Sequence, residues 1–426
     1  MEQQAIWAIG IFLVIYALII SEKIHRTILA MIGAILMITL GIVDQDTAIH
    51  HIDFNTLGLL VGMMIIVGIT SKTGLFKYIA LKAAKVSKGK PKRIMIALAV
   101  ITAVSSAFLD NVTTVLLMVP VTLSITRQLR INPLPFLITQ IIASNVGGTA
   151  TLIGDPPNIM IGSAVKELTF VSFISNLAPI AIIILVTYLP IFLWMFGKKI
   201  QSTPELQQRI MEMDERTMIT DRKLLYKCLT VLGLTIIGFF LHQLVHLESA
   251  TVALAGAFLL LLITGEHMLE EALQHVEWTT LFFFIGLFVL VSGLVETGVI
   301  AKLAEQAIEL TGGDPLMTSM LILWLSAIAS AFLDNIPFVA TMIPMIQDMG
   351  TMGITNLEPL WWSLALGACL GGNGTLVGAS ANLIVAGLAG KEGYPISFMK
   401  YLKIGFPLMI LSIVLSSIYL YVRYLM

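Results

Sequence analysis

Charge is scarce in this chain. Asp, Glu, Lys and Arg make up 12% of its 426 residues, while 57% are hydrophobic, a balance that excludes a soluble two-domain protein. The formal net charge of -1 says nothing by itself about partners, because the charges are segregated along the chain, and no nucleic-acid partner is expected. Cysteine is nearly absent: Cys228 and Cys369 both lie in apolar runs, which excludes a disulfide framework. His50, His51, His242, His246, His267 and His275 fall in or near loops at no metal-ligand spacing, so a histidine metal centre is not expected. The first apolar run, Ile6 to Ile20, has no basic region before it and no small-residue cleavage site. It reads as a retained span, not a leader.

Long hydrophobic runs dominate what is left. A hydrocarbon core of ~30 Å takes about 20 apolar helical residues to cross. Such spans fall at 5–20, 27–43, 54–71, 135–165 and 175–196, and, after a polar linker at 197–223, at 224–241, 250–265, 278–294, 360–390 and 403–422. Two further apolar segments, 92–129 and 318–347, carry an Asp-Asn pair near the middle. These features come twice at one offset. Ser105 to Val121 matches Ala329 to Met345 at nine of seventeen positions without a gap, and Asn145 to Asn158 matches Cys369 to Asn382 at six of fourteen, both 224 residues on. Upstream, DFNTLGLLVG (Asp53 to Gly62) becomes EWTTLFFFIG (Glu277 to Gly286), and Thr73-Gly74 becomes Thr297-Gly298. A constant offset over so long a stretch marks internal duplication.

Lys72 to Arg93 holds eight basic residues and is expected on the cytoplasmic side by the positive-inside rule, as an amphipathic arm rather than a partner site. If 92–129 is a re-entrant hairpin returning to its own side, 22 of the 25 Lys and Arg residues fall in cytoplasmic loops and only Lys166, Lys302 and Arg423 outside. A single crossing there would move Arg127 and Arg130 outside and invert everything after them. The hairpin reading gives each half five crossings. An odd number inverts the second copy, so hairpin 318–347 enters from the outside and both termini face outward. In this scheme Lys23 and Arg26 belong to a cytoplasmic loop, and no Lys or Arg is assigned to the membrane interior.

The expected fold is thus an all-α polytopic membrane protein of two inverted repeats. Each has about five transmembrane helices plus one re-entrant hairpin, with helices broken near the midplane, an architecture of secondary transporters. Gly147, Gly148 and Gly154 let an ion or a backbone approach closely, and Pro156 and Pro157 stop helix continuation. Asn145, Thr149, Thr151 and Asn158 supply neutral oxygens and amides, and Asp155 adds a charge. In the second copy Gly371, Gly372, Asn373, Thr375, Gly378, Ser380 and Asn382 do likewise, but Asp155-Pro156-Pro157 has become Ala379-Ser380-Ala381. A pocket built from both is pseudo-symmetric in shape and asymmetric in charge. Asp110, Asn111, Thr113 and Thr114 from one hairpin and Asp334 and Asn335 from the other complete the candidate site. A sodium ion is expected among Asp110, Asn111, Asp155, Asp334 and Asn335. Asp110 and Asp334 are expected to carry coupling and Asp155 to contribute more mildly. Plainer readings stand beside these: Asp is a good helix N-cap, glycines also serve close helix packing, and a lone Cys369 is more often a small packing residue than a ligand.

The stretches FLDNVTTVLLMVPV, GGTATLIGDPPN, FLDNIPFVATMIPM and ACLGGNGTLVGASANLIVAG resemble the ion-transporter superfamily. That group includes the arsenite permeases, the NhaD-type sodium–proton antiporters and the citrate-transporter-like proteins, and the motifs are most like those of the pink-eyed dilution (P) proteins. The resemblance covers both repeats, hence nearly the whole chain. It implies an elevator-type carrier, usually a homodimer, with one hairpin opening inward and one outward. On that basis 92–196 and 313–426 form the transport part, 1–91 and 224–312 the scaffold and dimer contact, and 197–223 a cytoplasmic linker. In the dicarboxylate carriers of the superfamily the hairpin tips carry Ser-Asn-Thr and coordinate sodium and substrate. The matching positions here are Asp110-Asn111-Val112-Thr113 and Asp334-Asn335-Ile336-Pro337, with an acid where those carriers have serine.

Aspartates inside the membrane suit a cation or an exchangeable proton. Carboxylates held out of water can bind H⁺ or Na⁺ alternately, which is the chemistry of an antiporter. The expected function is that of a secondary active ion transporter of the plasma membrane, not an enzyme, with H⁺ or Na⁺ as coupling ion and no other cofactor. Its partners are the lipid bilayer and a small inorganic ion or small anion. Cation/proton antiport and arsenite-type efflux rank above sodium-coupled citrate or dicarboxylate uptake. An intramembrane aspartyl protease is a reading of another class. It needs two acids on adjacent helices sharing a proton, whereas these sit at repeated hairpin tips, each followed by Asn.

Overall fold

A computed structural model describes residues 2–21, 23–242 and 245–426. Met1, expected outside the cell, lies outside the described residues. Among the described residues every regular element is helical. The first half runs α1 (Glu2–Ile20), α2 (Arg26–Thr39), α3 (Gln45–His50), α4 (Phe54–Lys72), α5 (Leu75–Val86), α6 (Pro91–Leu109), α7 (Asn111–Gln128), α8 (Leu134–Thr149), α9 (Pro156–Ala164) and α10 (Phe170–Phe196). A linker helix, α11 (Pro204–Glu212), leads to the second half. That half runs α12 (Arg222–Leu241), α13 (Ser249–Thr264), α14 (Leu269–Gln274), α15 (Trp278–Glu296), α16 (Val299–Thr311), α17 (Pro315–Phe332), α18 (Asn335–Thr351), α19 (Glu358–Gly371), α20 (Ser380–Lys391) and α21 (Phe398–Leu420). The helices α3 to α9 each begin 224 residues before a counterpart in α14 to α20, so the duplicated sequence is duplicated local structure.

Local chemistry explains the boundaries. Asp53 caps α4, accepting from the backbone N–H groups of Asn55 at 3.0 Å and Thr56 at 3.1 Å. Prolines open α6, α9 and α17, where the missing N–H has no partner to lose. Gly74 and Gly298 hold left-handed φ of 78° and 73° and turn the chain from α4 into α5 and from α15 into α16.

Among the described residues, eight helices are long and apolar enough to cross a membrane: α1, α4, α6, α10, α12, α15, α17 and α21. Length alone includes α6 and α17, but each is followed at once by a helix that packs back against it, α7 after Asp110 and α18 after Asp334. The span at 27–43 is shorter as a helix than as an apolar run, and that at 250–265 is equally short in both. With 14 and 16 residues, α2 and α13 extend about 21 and 24 Å, less than a ~30 Å core.

Around the centre, α4 packs on α13 and α2 on α15, while α6 packs on α8 and α17 on α19. Every residue of α8 is buried, as is every residue of α19 after Glu358, which marks these two as the middle of the bundle. The linker lies against α5 and the end of α7. Lys85 Nζ donates to Glu215 Oε2 at 2.6 Å and to Met213 O at 2.8 Å, and Ser202 Oγ donates to Leu129 O at 3.0 Å. Ion pairs Lys72–Glu271, Arg127–Glu392 and Lys166–Glu248 each join the first half of the chain to the second.

Candidate ion-binding site

Two hairpin tips and two helix breaks converge at the centre. The breaks lie between α8 and α9 and between α19 and α20. Opening a helix inside the protein frees carbonyls that must find donors, and equivalent donors serve both copies. Asn158 Nδ2 lies 3.1 Å from Thr149 O and 2.8 Å from Thr151 O; Asn382 Nδ2 lies 2.7 Å from Gly372 O and 2.9 Å from Thr375 O. Ser106 Oγ donates to Ser144 O at 2.7 Å and Ser330 Oγ to Ala368 O at 2.6 Å. The hydroxyls of Thr151 and Thr375 donate to the carbonyls of Ala107 and Ala331.

The glycines serve this packing. A Cβ on Gly147 or Gly371 would strike the Ala103 or Ala327 carbonyl, and one on Gly148 would come within 2.6 Å of Gly154 O. Gly372 and Gly378 face each other in the same way. None of these six lines either cavity described below. Close backbone approach accounts for them.

Asparagines then join the two copies. Asn145 Oδ1 accepts from Asn111 Nδ2 at 3.2 Å, and Asn145 Nδ2 lies 2.9 Å from Asn373 Oδ1 and 3.0 Å from Asn382 Oδ1. The counterpart of Asn145 is Cys369, whose thiol donates to Asn158 Oδ1 at 3.5 Å. That contact mirrors Asn145–Asn382 across the repeats. Cys369 is part of the network and not only a space-filling residue.

The acids differ in how they are held. Asp110 caps α7, accepting from Thr113 N at 2.8 Å and Thr113 Oγ1 at 2.6 Å. Its φ of 77° lies where a non-glycine residue costs about 1–3 kcal/mol. Asp334 accepts from Ile336 N at 3.3 Å, while its Oδ2 accepts from the Arg26 guanidinium and from Ser380 Oγ at 3.2 Å. The capping reading therefore accounts for Asp110 and for only part of Asp334. Asp155 caps nothing. It is 1% exposed, Asn335 Nδ2 lies 3.3 Å from its Oδ1, and its Oδ2 has no hydrogen-bond partner among the described residues. Thr114 Oγ1 is likewise buried without one.

A cavity of about 70 Å³ lies among Asp110, Asn111, Asp155, Asn335 and Ser380, with Arg26, Glu277 and Thr280 completing its polar lining. A larger cavity of about 460 Å³ shares Arg26, Glu277, Thr280 and Ser380 with it and reaches Asp334 and Tyr16.

Arg26 is a correction to the sequence reading, which placed it in a loop and left the membrane interior without Lys or Arg. It is the first residue of α2, and its side chain reaches into the protein. The guanidinium bonds to Asp334, lies 2.9 Å from Ser380 Oγ, and stands 4.8 Å from the Phe283 ring centroid. The matching position in the second copy is Ala250, and that replacement was the available signal. Glu277 was aligned with Asp53 but not singled out as a site residue.

At the other end of the bundle a hydrogen-bonded bridge stands beside two cavities, of about 550 and 580 Å³, that both reach Asn55 and Ser163. Ser163 Oγ donates to Asp53 Oδ1 at 2.7 Å and accepts from Asn55 Nδ2 at 3.0 Å, and Asn55 Oδ1 accepts from Ala250 N at 3.0 Å. This bridge ties α9 to α4 and α13. The counterparts of Asp53, Ser163 and Ala250 are Glu277, Gly387 and Arg26. A glycine offers no hydroxyl, so position 387 cannot supply the same bridge beside Glu277 and Arg26.

The citrate transporter family model matches residues 16–367 of this chain. An uncharacterized transporter of Mycobacterium tuberculosis (strain ATCC 25618 / H37Rv) is 44% identical over 426 residues, covering 99% of each chain. The P protein of Homo sapiens is 37% identical over 505 aligned positions, which take in 99% of this chain and 60% of that one. The YdaH transporter of Alcanivorax borkumensis, whose crystal structure has an unusual topology, matches with a TM-score of 0.59 over 94% of this chain and 98% of that one. At 13% identity this last likeness is one of fold.

Proposed function

This chain belongs to the citrate transporter family, and from that premise we propose that it is a secondary active ion transporter coupled to H⁺ or Na⁺. It works in the plasma membrane as a homodimer of two-fold inverted repeats, both termini outward. The segments 92–196 and 313–426 move against 1–91 and 224–312 in an elevator cycle. Packing supports the division, since α2, α4, α13 and α15 pair among themselves, as do α6, α8, α17 and α19.

Asp155 carries the reading. A buried carboxylate with an unpartnered oxygen is expensive, and a proton or a small cation relieves that cost. At about 30 Å³ per water, the adjacent cavity of about 70 Å³ suits one partly dehydrated ion. Asn335 brings the second hairpin tip to the same carboxylate, so loading Asp155 and settling that tip are linked. Cation/proton exchange fits this arrangement first, and arsenite-type efflux through the neutral amides and hydroxyls next.

Arg26 supports a second reading, sodium-coupled uptake of citrate or another carboxylate, because a guanidinium at the larger cavity can pair bidentately with a carboxylate. The family's description points the same way. Reconstitution into liposomes, with Na⁺, Li⁺, arsenite and citrate tested against imposed pH gradients, separates the two. The expected result is pH-gradient-driven Na⁺ or Li⁺ flux that Asp155→Asn abolishes. Sodium-driven citrate uptake without Na⁺/H⁺ exchange would put the second reading first, and vesicles inert to all four solutes would remove both.

A further inference from the structure

The two hairpin tips carry the same Asp-Asn pair but not the same charge balance. Asp110 turns its carboxylate onto Thr113 of its own helix, whereas Asp334 is held by Arg26 from α2. Arg26 is 25% exposed and Asp334 11%, so the pair is neither sealed nor freely solvated. Arg26 and Ser380 line both cavities, which puts the ion pair at the boundary between the small acidic pocket and the larger approach to it. Phe283 of α15, 4.8 Å away, offers the guanidinium a second resting place through its ring face.

We propose that Arg26 is a tethered counter-cation. It occupies the Asp334 carboxylate while the site is empty, and the transported cation displaces it. The inference rests on the ion-coupled reading above and deepens it by naming what holds the empty carrier. Arg26 belongs to α2, which packs on α15, while Asp334 and Ser380 belong to the second hairpin tip and the start of α20. With the guanidinium seated, the tip is fastened to α2 and the empty carrier stays put. With a cation seated, Asp334 has no charge left to offer Arg26, and the tip is released. Loaded carriers then move and empty ones do not, which is the condition for obligatory exchange. Displacement is also a competition. If the guanidinium holds Asp334 in about nine of ten empty carriers, the apparent affinity for the cation is lowered about tenfold.

The test uses the full-length chain in proteoliposomes. The Na⁺ and H⁺ concentrations that give half-maximal flux are measured for the wild type, Arg26→Gln and Arg26→Lys, each with and without counter-ion in the opposite compartment. Arg26→Gln is expected to lower the half-saturating concentration of the driving ion about tenfold and to permit net flux without counter-ion. Arg26→Lys should shift both in the same direction but less, because it keeps the charge and loses the planar fork that reaches Asp334 and Ser380 together. Wild-type flux accompanied by an unchanged or raised half-saturation in Arg26→Gln overturns this inference alone. Should Arg26→Gln fail to insert, wild-type affinity and strict exchange in Arg26→Lys overturn it equally. Wild-type vesicles that respond to neither ion overturn the parent reading, and the counter-cation with it.

Discussion

Replacing Asn145 by alanine cuts the junction between the two copies. The side chain is fully buried, accepts one hydrogen bond from Asn111 and donates to Asn373 and Asn382. Asn373 suffers most, because its Nδ2 already lacks a partner and truncation takes the one on its Oδ1. Asn382 keeps its bonds to Gly372 and Thr375 and loses an acceptor contact. At about 1–3 kcal/mol per orphaned buried group, the loss is roughly 3–9 kcal/mol. Interhelical hydrogen bonds in membranes average nearer ~0.6 kcal/mol, because chains unfolded within a bilayer find other partners, which gives roughly 2 kcal/mol. The helices here remain in the bilayer when packing is lost, so the lower figure governs, and about 2–3 kcal/mol is expected once the small void is included. Asn145→Cys copies the arrangement at Cys369 and should keep one weak bond, to Asn382, and recover part of that loss. Thermal unfolding of the purified protein in detergent should rank wild type above Asn145→Cys and Asn145→Ala last, with several degrees between the extremes. Coincident melting of Asn145→Ala and wild type would refute the view that these bonds hold the halves together.

A membrane-impermeant thiol reagent should reach Lys88→Cys and Gln207→Cys only from the cytoplasm and Lys166→Cys only from outside; labelling of Lys88→Cys from outside sealed cells breaks the topology. Asp155→Asn should abolish ion-coupled flux more completely than Asp110→Asn, because asparagine can still cap α7 at position 110 but cannot exchange a proton at position 155, and equal losses in tracer uptake would contradict that order. Lys85 holds the Glu215 carboxylate below its ordinary value of 4.5, so this linker contact is fully present above that pH and is lost only as pH falls through the lowered value. Glu215→Gln should therefore increase hydrogen exchange across 204–218 at neutral pH, whereas wild-type protection that fades already between about pH 7 and 5 would show that another group controls the linker.

The spans, the breaks and the duplication were legible because each is a local pattern. An apolar run has a length, a cluster of Gly, Thr, Asn and Pro inside one is visible at once, and a copy at a constant offset of 224 needs no structure to find. Arg26 was not legible in this way. It precedes an apolar run, as loop residues do, and a charge census treats it as one more cytoplasmic cation. Only the reach of its guanidinium across to Asp334 shows that it belongs to the site. The glycines were read as room for an ion or a backbone; what meets them is backbone, and a glycine pattern alone does not distinguish the two. Asp155, which has Ala379 in its place in the second copy, was expected to contribute more mildly than Asp110 and Asp334. In the structure it is the one with a buried oxygen and no partner.

One substitution between the copies explains why the two tips behave differently. Thr113 corresponds to Pro337. At the first tip Thr113 offers Asp110 both a backbone N–H and a hydroxyl, and takes both carboxylate oxygens. Proline has neither donor, so Asp334 gains only the Ile336 N–H from its own helix and its second oxygen is left for a group elsewhere. The same half-cycle of divergence put Arg against Ala250, Ser380 against Pro156 and Gly387 against Ser163. Arg26 and Ser380 supply the two donors that Pro337 cannot, and Gly387 offers no hydroxyl where Ser163 does. If the halves are inverted as proposed, two equal tips would hold an ion equally from both faces of the membrane. These are unequal: one acid is satisfied within its own hairpin, and the other is held by Arg26 of α2. Restoring threonine tests that difference directly. Pro337→Thr should let Asp334 cap α18 as Asp110 caps α7, weaken its hold on Arg26, and shift cation affinity and counter-ion dependence in the direction of Arg26→Gln. Flux identical to wild type in Pro337→Thr would mean that Arg26 competes successfully with a local cap, and that the proline is not what frees Asp334.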